Sequence, residues 1–119
     1  MVQLLFHLWG DYITQNHWMS VNKVKNSVRG YLAALIHSII YTIPFLFIGS
    51  YTACFMIFIT HFLIDKYRLA IYLIRLKNWE WSGDFGFPKG TPIWLSVWLM
   101  IIIDNIIHIT INYLSLNFL

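Results

Sequence analysis

Long apolar stretches separated by short polar breaks run through this chain, and their lengths predict its elements. A helix rises about 1.5 Å per residue, so about 20 residues cross the roughly 30 Å of hydrocarbon in a bilayer. Three runs are long enough: Val28 to Ile48, Tyr51 to about Leu73, and about Pro92 to Tyr113. A first segment, Met1 to about Trp18, is shorter and more polar. It is expected to be a fourth span, tilted or re-entrant. Between the third and fourth spans, residues 78–91 carry Gly83, Gly86, Pro88 and Gly90 among Trp79, Trp81, Phe85 and Phe87. Gly and Pro interrupt a helix and the aromatic rings suit a headgroup region, so this loop is expected at the membrane interface. It is either a plain connector or a lid with Glu80 or Asp84 reaching inward. The expected fold is all-α and integral to the membrane: one domain, residues 1–119, in a compact four-helix transmembrane bundle.

Composition agrees with that pattern. The chain has 119 residues, 59% hydrophobic, 18% aromatic and only 11% charged, which is far from the balance of a soluble globular domain. All eight Lys and Arg fall in or beside two breaks, after the first and third segments, and none lies at Gly49-Ser50. Basic residues are retained on the cytoplasmic side. Four spans with both termini outside and basic loops cytoplasmic satisfy that rule. The net charge of +3 belongs to this face and points to anionic headgroups. No aromatic platform interleaves the bases, so nucleic acid is not an expected partner. The N-terminal segment lacks a basic start and a small-residue cleavage site, and is expected to be retained. Cys54, the lone cysteine, is expected to be a buried, inert thiol.

The polar interruptions carry the chemistry. His7/Asp11, His61/Asp65 and Asp104/His108 are pairs four residues apart in apolar segments, and another segment adds His37. Residues at i and i+4 share a helix face, and an ionisable group in hydrocarbon is costly unless paired, metal-bound or wetted. Counted from the inner ends of the segments, six of the seven fall about 10 to 18 Å deep, with His108 an outlier at about 24 Å. Three accounts fit a shared interior cluster. Imidazole and carboxylate are ligands for a divalent transition metal, Zn first and Mn or Fe as alternatives, in one or two ions. The same groups build proton or ion relays. They also form purely structural networks with neighbours such as Lys66, Gln15, Asn105 and Asn112. Gln15, Tyr41 and Asn112, each four residues beyond a cluster member, are expected to orient ligands. His17, beside Trp18, is expected at the interface and outside the cluster. No phosphate-binding glycine loop, HExxH helix, GxSxG elbow or CxxC pair occurs.

The strings HLWGDYITQ with Asn22-Lys23, ALIHSIIYTIPF, HFLIDKYR and DNIIH resemble a family of small bacterial and phage membrane proteins, domain of unknown function 3307. The resemblance runs in order along nearly the whole chain. It implies a polar signature at His7, Asp11, Gln15, Lys23, His37, His61, Asp65, Asp104 and His108, with Asn105 where the family often has Gln, and it implies a bacterial inner membrane. More distantly the chain is similar to predicted membrane-bound metal-dependent hydrolases. That similarity implies hydrolysis; the residues themselves give His7, Asp11, His37, His61, Asp65, Asp104 and His108 as expected metal ligands and Asp11 or Asp65 as catalytic base, and a site within the bilayer favours a lipid or lipid-linked substrate. The alternative is a non-enzymatic membrane protein, an exclusion or lysis-modulating factor or an ion-conducting homo-oligomer.

Overall fold

The computed structural model describes all residues, 1–119, and is helical throughout. The first segment is α1 (Val2–Leu8), running into a π-helical stretch, Trp9–Thr14. Gln15 leaves the helix at a ψ of 113°, so the continuous helical part is shorter than the expected 1–18. The side chain of Asn16 then caps a short α2 (His17–Asn22) by accepting from the Met19 N–H. Helix α3 (Val28–Thr42) starts at a Ser27 cap and tightens into a 3-10 turn, Ile43–Phe47, where Pro44 enters.

The third apolar run is not one helix. It divides into α4 (Tyr51–Tyr67), opened by a Ser50 cap, and α5 (Leu69–Asn78), with Arg68 between them in the left-handed region at φ 52°, ψ 49°. For a residue other than glycine this conformation is strained. Its N–H still caps α4, reaching the carbonyls of Asp65 and Ile64. The last helix, α6 (Ile93–Phe118), is the longest at 26 residues.

Four segments close a ring: α1 packs on α6, α6 on α4, α4 on α3, and α3 on the π-helical stretch. Two helices are long and apolar enough to cross a membrane, Val28–Phe47 and Ile93–Phe118. As many polar or charged side chains as apolar ones are buried, and many large apolar side chains are exposed. Buried side chains include His7, His37, His61, Asp65, Lys66, His108 and Asn112, while Trp9, Ile13, Phe47, Phe55, Trp94 and Trp98 are exposed. On α6 every buried residue is polar, namely Ser96, His108, Asn112 and Ser115. Small residues permit this approach: Ala33, Ala34 and Ala53 are fully buried, and Ser38 and Thr42 fold their hydroxyls back onto the Ala34 and Ser38 carbonyls. An apolar cluster of Tyr41, Phe45, Cys54 and Ile57 seals one end, and in it Cys54 is the buried thiol expected.

The loop after α5 packs on α5 and α6 through its turn Asp84–Gly86. Its acids do not reach the ring interior. Glu80 accepts from the Ser82 hydroxyl and N–H at 2.6 and 2.9 Å, bonds that hold its carboxyl below the usual carboxylate range. Asp84 lines a separate small hollow with Ser82, Lys89 and Thr91. Glu80 is thus occupied within the loop, and Asp84 faces this hollow and not the ring interior.

Candidate metal centre

Four donor atoms from three segments converge inside the ring. His37 comes from α3, His61 and Asp65 from α4, and Asp11 from the π-helical stretch. His37 Nε2 lies 3.0 Å from His61 Nε2, 3.2 Å from Asp11 Oδ1 and 3.2 Å from Asp65 Oδ2. His61 Nε2 lies 3.5 Å from Asp11 Oδ1 and 3.4 Å from Asp65 Oδ2, and the two carboxylate oxygens are within 4.8 Å of each other. In a tetrahedral site with bonds of about 2.0–2.1 Å, the ligand atoms stand about 3.3 Å apart. The five distances fall on either side of that value.

Hydrogen bonding alone accounts poorly for this crowding. Each Nε2 offers at most one proton to three close neighbours, and Asp11 Oδ1, although buried and 3.2 and 3.5 Å from two imidazole nitrogens, has no well-directed hydrogen bond from either. A buried carboxylate oxygen without a well-directed donor is costly. A cation among the four atoms would satisfy all of them together, so the donor set fits a divalent ion of the borderline kind that takes nitrogen and oxygen.

Asp65 links this group to a second. Its Oδ1 lies 3.1 Å from His108 Nε2, which is 3.5 Å from Asp104 Oδ2, and donor atoms of Asp65, Asp104 and His108 also converge. One carboxylate thus turns an oxygen toward each group, the arrangement of a bridging ligand. His61 Nδ1 and His108 Nδ1 are 3.2 Å apart, joining the groups again. The depth count made His108 an outlier because it began at Pro92. The first turns of α6 run beside α5 and the loop, beyond the end of the ring, so that starting plane was too far out.

His7 is inside the ring but outside both donor sets. Asn112 Nδ2 donates to the Tyr41 hydroxyl at 2.7 Å, leaving the Tyr41 proton for His7 Nδ1 at 2.8 Å. His7 Nε2 then donates to Asn105 Oδ1 at 2.7 Å, and Asn105 Nδ2 to the Tyr12 hydroxyl at 2.6 Å. With both nitrogens engaged, the imidazole has no lone pair to give, so it orients its neighbours and is not placed to ligate. The expected partner of Tyr41, His37, gives way to His7 and to His61, on whose ring Tyr41 stacks at 3.6 Å between centroids and 11° between planes. Gly10 allows this placement, since a Cβ there would collide with the Tyr41 ring.

Other expected neighbours differ too. Gln15 reaches the Asp11 backbone carbonyl at 3.4 Å and not its carboxylate. Lys66 bonds the Lys25 carbonyl and lies over the Tyr31 ring, away from the acids. Lys23 is the cation that enters, with Nζ 2.5 Å from Asp65 Oδ2. Residue chemistry alone had assigned it to a basic loop, and only its place in the resemblance signature marked it. His17 is exposed at the start of α2.

A cavity of about 610 Å³ adjoins the centre, with Asp11, Asp65 and Asp104 on its wall beside Lys23 and Arg68. Ile64, Ile71, Met100 and Ile101 supply an apolar side.

The family described as Protein of unknown function (DUF3307) matches residues 1–117, and the chain belongs to it. Nothing among curated proteins or solved structures matches.

Proposed function

We propose that this member of the DUF3307 family is a membrane-embedded, metal-dependent hydrolase whose His/Asp centre acts on a lipid or lipid-linked ester, amide or phosphoester. One observation carries the reading: buried donor atoms of His37, His61, Asp11 and Asp65 converge at 3.0–3.5 Å in five of their pairs, with no well-directed hydrogen bond to Asp11 Oδ1. Zinc suits these donors best, with Mn or Fe next, and Asp65 is positioned to bridge two ions.

Four spans with both termini outside and the basic loops in the cytoplasm remain the topology we favour. The exposed apolar exterior and the charged interior support it. Helix α4 has 17 residues, about 26 Å, and crosses with its flanking turns. The first helical stretch, Val2 to Thr14, reaches only about 20 Å and places α2 at the inner interface.

His37, His61, Asp11 and Asp65 would hold a divalent ion, whose chemistry there would be to lower the pKa of a water and polarise the scissile carbonyl or phosphoryl. Of the two candidate bases, Asp11 suits the role better. Both oxygens of Asp65 are engaged, by Lys23 and by His108, whereas Asp11 gives only Oδ1 to the donor set, keeps Oδ2 beside His7 Nδ1 at 3.4 Å, and lines the cavity. His7 and Tyr41 hold the interior side of the centre, and the apolar wall admits a chain from the bilayer.

A second reading is favoured by Lys23. Its ammonium already neutralises Asp65, as a structural network or a proton relay in a non-enzymatic protein would require. Elemental analysis of protein purified without chelator decides between them. One or two equivalents of transition metal, lost in His61→Ala while the protein still inserts, are expected; a metal-free wild type overturns the hydrolase.

A further inference from the structure

We infer that the cavity beside the centre binds a phosphate ester carried on an apolar chain, an inference that rests on the metal-centre reading above. Three carboxylates and two cations on its wall leave one excess negative charge. One divalent ion reverses that to one positive charge, and two make it three. The loaded cavity is therefore an anion site, and a neutral ester or amide would not need it.

Arg68 marks the specificity. It lines the cavity, is exposed and has no ion pair of its own. It is also one of only three residues other than glycine with positive φ, in the break between α4 and α5. Strain of this kind collects where a side chain must be aimed. Its guanidinium lies 5.3 Å from the centre of the Phe85 ring, and Phe85 is another of the three. Arginine offers a planar fork that matches two phosphate oxygens. Lys23, tied to Asp65 at the same wall, adds a second cation. Ile64, Ile71, Met100 and Ile101 then face the acyl or prenyl portion.

The test uses the full chain in an uncharged detergent, loaded with zinc. Retention of short-chain phosphatidic acid is compared with that of the matching diacylglycerol, with zinc per protein measured on the same samples. Phosphatidic acid is expected to bind about ten- to hundredfold more tightly, the value of charge-assisted hydrogen bonds to its phosphate. Arg68→Gln should remove most of that preference with zinc unchanged, Arg68→Lys should keep part of it, and chelation should abolish it. Equal retention of the two lipids, or an unchanged preference in Arg68→Gln, overturns the phosphate assignment while the metal centre stands. Inorganic phosphate displacing the lipid at equal concentration overturns the requirement for an apolar chain. A protein without zinc overturns the centre and this inference together.

Discussion

The pairs His61/Asp65 and His7/Asp11 have the same residues at the same spacing in equally apolar surroundings, yet the structure uses them differently. On α4 both members point into the centre and both meet His37 or its neighbours. On the first segment only Asp11 does so, while His7 is bound by Tyr41 and Asn105. The difference arises from the surrounding helices. His61 has imidazoles and carboxylates on either side, whereas His7, 3.4 Å from Asp11 Oδ2, is held more closely by a hydroxyl and an amide that take both its nitrogens. Spacing brings two side chains to one face; the opposing helix decides what they do there.

The sharpest way to break the comparison is to remove the residue that both donor groups share. Asp65→Asn should lose all bound metal and lower hydrolysis by at least about 1,000-fold, since metal charge stabilisation is worth several kcal/mol. Elemental analysis and turnover of a lipid phosphate check it. If the metal stays, Asp65 is not the bridge and the two pairs are closer in role than their geometry indicates.

Next in size is Lys23→Met, which separates a metal centre from a structural network. If Lys23 exists to neutralise Asp65, its loss strands a buried carboxylate and costs about 3–5 kcal/mol. If a cation occupies the centre, the variant should keep its metal and its thermal stability, and lose stability only on chelation. Thermal unfolding with and without chelator distinguishes the two.

His7→Gln follows, and here the two pairs should diverge. An orienting histidine, when removed, weakens metal binding by about 10–100-fold, and zinc should remain at saturating concentration. His61→Ala should stay empty under the same conditions. Equal loss in both would make His7 a ligand after all, by way of a rotation of its ring that the Tyr41 and Asn105 bonds do not permit as they stand.

Much of this was legible in the sequence, in an uneven way. The all-helical class, the starts of α3 and α6 and the convergence of Asp11, His37, His61, Asp65, Asp104 and His108 follow from apolar runs and from the cost of ionisable groups among them, whereas α6 runs five residues past its expected end, to Phe118. The break at Arg68 was not legible, because a left-handed arginine has no local sequence signal; a glycine there would have given one. Lys23 was hidden for another reason. Its partner Asp65 is 42 residues away, and helical spacing gives no information across a loop. The loop acids Glu80 and Asp84 were visible as charges, but whether they reach inward depends on Ser82, whose donors hold Glu80 where it is.

The smallest expected effect tests why Asp11 and His7 part company along one segment. Gly10 sits between them, in the π-helical stretch, against the ring of Tyr41. π-helical turns are rare and occur frequently at functional sites, and this one carries Asp11 toward the centre while Tyr41 holds His7. Gly10→Ala puts a methyl group where the Tyr41 ring lies, and overpacking of this kind costs about 1–3 kcal/mol. Because Tyr41 bonds His7 and stacks on His61, its displacement should loosen both. Zinc affinity is expected to fall by less than in His7→Gln, since no hydrogen-bonding group is removed and the ring can shift by a few tenths of an ångström. Titration of zinc against a competing chelator measures this. A fall as large as that of His7→Gln would show that the fit of Gly10 against Tyr41, and not the His7 hydrogen bonds, sets the position of Asp11.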